Sequence, residues 1–278
     1  GTYSGLFFVL AVVGIVFGAL MAYVQTDVKR LVAYSSVSHL GFVMLGIVEF
    51  NEEALAGAVL QMINHGISTG ALFMLVGFIY ERRHTREISA FGGIATKMPV
   101  YAAFFVLVTM SSIALPLTNG FVGEFAIFLG TFKEASQSKI GGPAIGLAPS
   151  TWFAYFGWWR NLTMVFGVIA VSGIILGAVY MLSVVRRVFF GEITNPENEK
   201  LRDLTLRERL LMGAMAAVII VMGVFPEPFF AVSRATIKDM VAANRPAILQ
   251  VRAPADFKRE EQQRLADANP VKEAGPRP

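Results

Sequence analysis

The sequence contains no cysteine and only three histidines, His39, His65 and His84. The first absence excludes disulfides and cysteine-ligated zinc or iron–sulfur centres within this chain. Three scattered histidines argue against a multi-histidine metal site. Charge is also scarce: 16% of residues are Asp, Glu, Lys or Arg, where a soluble domain carries about 25%. The net charge is only +4, and the basic residues fall in loops and in the polar C-terminal stretch, so nothing supports a nucleic-acid groove. What fills the sequence instead is apolar. Of its 278 residues, 55% are hydrophobic and the mean hydropathy is +0.57, which is the composition of a membrane protein.

A spanning helix needs about 20 apolar residues. Six segments qualify: 5–24, 31–48, 54–80, 99–132, 162–185 and 210–230. The fourth is too long for one straight helix and contains LPLTNGFVGEF (115–125). Pro116 removes a backbone donor there and Gly120 and Gly123 loosen the chain, so a helix break is expected near 116–120. Breaks at membrane depth occur where protein or a water-filled cavity satisfies the freed backbone groups. The expected fold is all-α and polytopic, with six transmembrane helices, one of them broken. The transmembrane domain covers 1–245 and a polar tail covers 246–278, in which DFKREEQQRLADAN (256–269) has the composition of a surface helix or solvated tail. The aromatic run WFAYFGWW (152–159) reads as an interfacial anchor. No signal-peptide pattern is visible. Residue 1 is Gly and an apolar run starts almost at once, so an upstream portion of a longer protein is expected.

Sidedness follows from the basic residues. Loops 25–30, 81–98 and 186–209 hold twelve Lys and Arg, while loops 49–53 and 133–161 hold three. The first set is expected to be cytoplasmic, in a bacterial inner membrane.

Polar residues inside the spans are the sharper signal. VKRLVAYSSVSHLGFVMLGI (28–47) is almost a pure span, yet carries Ser35, Ser38 and His39. In the third span Gln61, Asn64, His65, Ser68 and Thr69 follow a helical i, i+3, i+4, i+7, i+8 pattern. The fourth offers Thr109, Ser112, Thr118, Asn119 and Glu124. Spans one, five and six carry almost none; pairs such as Gly14/Gly18 and Gly173/Gly177 suit close helix packing instead. His39 lies eight residues past Leu31, about 12 Å into the layer. A charge at that depth costs about 3 kcal/mol on insertion scales. The bland reading is neutral histidines packed by hydrogen bonds. Two histidines, a glutamate and a helix break at one depth favour proton transfer instead. Imidazole and a desolvated carboxyl titrate near neutrality, and the hydroxyls and amides order water between them. His84, in the loop sequence ERRHTR, reads as structural.

Four motifs carry a family resemblance. DVKRLVAYSSVSHLGFVMLGI, QMINHGISTGALFMLVG, ERRHTREISAFGGIATKMP and LPLTNGFVGEFAIFLGTF resemble subunit M, the chain-4 type of antiporter-like subunit of NADH-quinone oxidoreductase (respiratory complex I). The likeness runs from about 5 to 230. A glutamate at 124, where L- and N-like chains carry lysine, and the SVSH sequence favour the M type. The resemblance implies that the six spans are family helices 9–14, one five-helix inverted repeat plus a final helix. It implies redox-driven proton translocation, with Glu124, His39 and His65 in the proton path. Ser35, Ser38, Gln61, Asn64, Ser68, Thr69, Thr118 and Asn119 line that path, and Pro116 and Gly120 form the break. It places no cofactor in this chain; FMN, iron–sulfur clusters and quinone belong to other subunits. The implied partners are the L- and N-like subunits, lipid and protons. Arg86 matches a recurrent family position, read as structural. Leu117 departs from the small residue usual after the proline. The family's remaining glutamate and lysines would precede residue 1. The alternatives are a cation/proton antiporter complex, a membrane-bound hydrogenase and a non-transporting scaffold bundle.

Overall fold

The computed structural model describes residues 4–137 and 158–252. Among them every regular element is helical, and the one β-bridge, Asp27 with Glu87, stands alone. The helices are α1 (Ser4–Tyr23), α2 (Val28–Glu49), α3 (Glu52–Arg83), α4 (Pro99–Ser112), α5 (Asn119–Gln137), α6 (Trp158–Phe189), α7 (Leu206–Val224) and α8 (Glu227–Arg252). Four of these, α1, α2, α3 and α6, are each long and apolar enough to cross a membrane; the bent α7–α8 pair makes a fifth.

Local chemistry sets the helix ends. Asp27 caps α2 by accepting from the Lys29 and Arg30 amides at 2.7 and 3.1 Å. Asn51 caps α3 through the Ala54 amide at 2.8 Å. Glu52 and Glu53 in the first turn of α3 and Arg82 and Arg83 in its last complement the helix dipole. His84 closes α3 in the left-handed conformation, its N–H donating to Tyr80 O at 2.7 Å; this is a structural role for the third histidine. Thr205 and Glu208 form a capping box on α7.

The predicted break falls at 113–118. Ser112 ends α4, Asn119 opens α5, and Ala114 and Leu117 both adopt positive φ (57° and 74°). Pro116 sits in the break. Gly120 does not: it lies in the first turn of α5, where an added Cβ would strike the Ser111 carbonyl oxygen. Its smallness permits close approach rather than a bend. The predicted sixth span, 210–230, is not one straight helix. It turns by 65° between α7 and α8, because Pro226 disfavours helical geometry at Phe225. The expected tail boundary at 245/246 lies inside α8. The aromatic run at 152–159 and the sequence 256–269 lie, apart from the start of α6, outside the described residues.

The three basic loops meet at one end of the bundle. Arg82 grips Glu208 with two bonds of 2.9 and 2.6 Å and donates to Arg202 O at 3.0 Å. The Asp203 carboxylate accepts from the Val100 and Tyr101 amides at 2.9 and 3.1 Å. It thereby caps α4 from a hundred residues away, where Met98 supplies no side-chain cap. Arg86 pairs with Asp27 at 3.3 Å and lies over the Tyr80 ring, a structural placement.

Between the two ends the interior divides in two. One apolar core joins Ala19, Leu31, Val32, Leu72, Leu75, Tyr101, Phe105 and Val184, toward the basic loops. The other joins Phe8, Ile15, Phe42, Leu45, Ala58, Ile127 and Phe128, toward the far end. Along α2 the cores stop at Val32 and resume at Phe42; along α3 they stop at Ala58 and resume at Ala71. The polar residues occupy the gap. Close packing of α1 on α2 holds this level in place: a Cβ on Gly18 would stand 2.7 Å from the Ser38 amide nitrogen. Gly14, by contrast, faces open space, so only one member of that predicted pair makes the close approach.

Candidate functional site

The polar layer lies where α2, α3, α4 and α5 meet. His39 is eleven residues into α2 and ten from its end, about 15 Å from either terminus. Glu124 is the sixth residue of α5, brought to the same level because the break starts α5 at mid-depth. His39 Nδ1 and Glu124 Oε1 are 3.0 Å apart, and the Gln61 amide donates to the same oxygen at 3.0 Å. Glu124 is 2% exposed, His39 7% and Gln61 3%. Gly123 makes this approach possible: a Cβ there would lie 2.9 Å from Gln61 Cβ and 3.0 Å from its Cα.

A second cluster ties the helix break to α3. Asn64 donates to Asn119 O at 2.6 Å, a further bond to a carbonyl at the start of α5. Ser111 Oγ donates to Asn119 Oδ1 at 2.5 Å, and Ser68 lies 2.8 Å from Ser111 and 3.2 Å from Asn119 Oδ1. These bonds answer the requirement that buried polar groups find partners. Asn64 Oδ1 remains buried without one.

His65 joins from the outer side of α3. Its ring centroid is 5.7 Å from that of His39, and Thr69 Oγ1 lies 3.1 Å from His65 Nδ1. His39 Nε2 faces Ser112 Oγ at 3.4 Å. Among these groups lies a polar cavity of about 10 Å³, lined by His39, Gln61, Asn64, His65, Ser68 and Thr69 with the end of α4. That is room for about one water, which has the polar neighbours it needs.

Of the residues singled out from sequence, His39, His65, Glu124, Gln61, Asn64, Ser68, Thr69, Ser112 and Asn119 therefore converge. Four do not. Thr109, on α4, is buried with its hydroxyl unbonded; the other three bond backbone. Ser35 turns back to Val32 O at 2.7 Å, Ser38 bonds Ile15 O on α1 at 2.8 Å, and Thr118 closes the break by donating to Leu115 O at 2.6 Å. Each hydroxyl is used by nearby backbone, the usual fate of Ser and Thr in greasy helices. One buried residue of this cluster escapes the periodic pattern: Ser111 (0% exposed), on the last turn before the break. The adjacent serines just before Pro116 were the available signal for Ser111. Among the described residues no three His, Asp or Glu converge as a metal site.

Chemically, one proton can sit on either side of a 3.0 Å gap. With Glu124 ionised, Gln61 and His39 Nδ1–H both donate to Oε1. With Glu124 protonated, its O–H donates to His39 Nδ1. The tautomer of His39 decides which nitrogen is free to pass a proton toward Ser112 or the cavity.

The sequence profile of the NADH:quinone oxidoreductase/Mrp antiporter transmembrane family matches residues 1–141, half of the chain and the part holding His39, His65 and Glu124. NADH-quinone oxidoreductase subunit M of Rhodobacter capsulatus is 41% identical over 219 residues, 79% of this chain and 37% of the relative. A chain in the structure of respiratory complex I from Thermus thermophilus with bound NADH superposes with a TM-score of 0.68 at 27% identity, over 85% of this chain and 44% of that one. A chain of the Mrp complex from a Dietzia species superposes with a TM-score of 0.70, over 90% of this chain and 49% of that one, at 18% identity; this is a likeness of fold alone. The chain spans about two-fifths of the length of the curated relatives it matches.

Proposed function

The chain belongs to the NADH:quinone oxidoreductase/Mrp antiporter transmembrane family, and from that premise we propose that it forms part of a subunit M-type, proton-translocating membrane-arm subunit of NADH-quinone oxidoreductase. The observation that carries this reading is the buried Glu124–His39–Gln61 cluster beside a helix break, between two dry cores. The 41% identity to a subunit M favours the redox-linked member of the family over the Mrp-type antiporter, to which the likeness is one of fold.

In this reading Glu124 and His39 hold and exchange the proton. His65 and Thr69 extend the path through the cavity water, and Gln61, Asn64, Ser68 and Asn119 orient both water and carboxylate. Electron transfer takes place in other subunits, where FMN, iron–sulfur clusters and quinone reside. The partners in the membrane arm are the L- and N-like subunits and lipid. The loops at 25–30, 81–98 and 186–209, which the fold gathers at one end, face the bacterial cytoplasm.

Moving one charge against the membrane potential requires about 2.3 kcal/mol per 100 mV. A station must therefore change its proton affinity by about fiftyfold per 100 mV between its two states, at 1.36 kcal/mol per tenfold. A carboxylate that gains or loses its His39 and Gln61 partners supplies a change of that order, since hydrogen bonds to charged groups contribute about 1.5–3 kcal/mol each.

The test is Glu124→Gln in the intact complex. The expected result is normal assembly with NADH-driven proton translocation lowered at least tenfold. Full translocation by an assembled variant would remove Glu124 from the mechanism.

A further inference from the structure

A second hollow lies at the end of the bundle away from the basic loops. It is a cleft of about 250 Å³ between α3, α5 and α8. Its walls are apolar: Ala56 from α3, Ala126 and Leu129 from α5, Phe230 and Ile237 from α8. Its rim is charged. Glu52 and Glu53 stand in the first turn of α3, and Arg234 comes from α8. Positions 230, 234 and 237 share one helical face, so α8 presents a ring, a guanidinium and an aliphatic chain to the cleft together.

Helix packing explains the hollow. α3 and α5 meet closely through glycine: a Cβ on Gly57 would stand 2.7 Å from the Ile127 nitrogen, and one on Gly130 would stand 2.6 Å from the Ala54 nitrogen. Toward α8 the same two helices present the small side chains of Ala56 and Ala126. α8 leaves α7 at 65° and meets α3 without filling the space beside the alanines. Protein interiors pack to near-crystalline density, and an apolar hollow of this size is a poor site for ordered water. It suits a hydrocarbon chain.

The rim lies at the level of a membrane surface. Glu52 is the first residue of α3, a helix long and apolar enough to cross. α7 starts at the basic loops, where Glu208 pairs with Arg82, so α8 begins at the opposite end, beside Glu52. An apolar slot with charges of both signs above it matches an acyl chain below a zwitterionic headgroup. Arg234 meets Glu227 at 2.8 Å, but the two side chains are 60% and 70% exposed, a weak pair that a phosphate can replace by bidentate bonding. Glu53 is held by Lys133. Glu52 is exposed and open to an ammonium. Counting these partners, acids outnumber bases by one, which disfavours an anionic headgroup and favours one that carries its own amine.

We propose that this cleft binds a zwitterionic, amine-bearing phospholipid of the phosphatidylethanolamine class. One acyl chain lies between Ala56, Ala126 and Phe230, Arg234 holds the phosphate, and Glu52 holds the ammonium. The site is separate from the proton-transfer cluster and does not depend on the function proposed above.

The experiment uses the assembled complex in vesicles of equal phosphatidylethanolamine and phosphatidylglycerol, with one or the other lipid carrying a photoreactive acyl chain. Mass spectrometry reads the labelled peptides. Phosphatidylethanolamine should label the peptides containing Ala56, Leu129 and Phe230 about fivefold more than phosphatidylglycerol does, and Arg234→Gln should lower that labelling about fivefold, the ratio set by one partly exposed ion pair. Glu52→Gln should abolish the preference between the two lipids. Ala56→Leu should block the slot and its labelling; if that variant fails to assemble, the two rim variants, both at exposed positions, decide alone. Equal labelling of the wild type by both lipids overturns the proposal. So does labelling that both rim variants leave unchanged, which marks ordinary surrounding lipid. Absence of labelling in these three peptides also overturns it, because protein then covers the cleft. None of these readouts involves proton translocation, so their failure is distinct from failure of the functional reading.

Discussion

Shortening Glu124 by one methylene, Glu124→Asp, isolates geometry from charge. The carboxyl keeps its chemistry and burial but retracts toward α5 by about 1.5 Å, one carbon–carbon bond. The 3.0 Å separation from His39 opens to about 4–4.5 Å, outside the 2.6–3.2 Å reach that direct proton transfer requires. Gln61, 3.0 Å from the same oxygen, cannot compensate, because its backbone is held against Gly123. Misplacement of a reacting group by about 1 Å lowers rates by about a hundredfold. A water entering the gap recovers part of this, which sets the expected loss at tenfold or more. The stability cost is small, about 0.8 kcal/mol for one buried methylene, so assembly should be unaffected. The assay is NADH-driven acidification of sealed vesicles, normalised to the amount of assembled complex. An assembled Glu124→Asp enzyme that translocates at more than half the wild-type rate would refute the claim that the direct Glu124–His39 contact matters.

The other predictions concern the neighbouring station and the scaffold. His39→Ala and His65→Ala should each give a partial loss, because the cavity beside them accepts water. The double variant should lose more than either alone, and silence of all three in the vesicle assay would remove the histidines from the path. Asp203→Ala should lower thermal stability by about 1–2 kcal/mol, because among the described residues its carboxylate is the only side-chain cap on α4. An unchanged melting temperature of the purified complex would show that water replaces it.

The local features were legible because they depend on residues close in sequence. The polar run Gln61, Asn64, His65, Ser68 and Thr69 shares a helix face by periodicity alone, and the structure gathers all five in one layer. Pro116 marks the break for a local reason, its missing donor. The same reasoning overreached at Gly120, whose smallness serves contact with Ser111 rather than flexibility. It fell short at Pro226, which bends the final pair by 65°. Ser35 and Ser38 share a turn with His39, yet the backbone takes their hydroxyls.

The sequence by itself determined that the chain is a helical membrane protein, which spans carry polar residues and which titratable groups lie near mid-span. Those properties follow from hydropathy and helix pitch, both local quantities. Only the tertiary structure decided that His39 and Glu124, 85 residues apart, share one proton's distance. It also decided that Asn64, Ser68 and Ser111 bond Asn119 beside the break. The physical reason is that pairing depends on how α5 restarts after the break and on how closely Gly123 lets it approach α3. Contact between helices is a property of their packing, which no single helix carries.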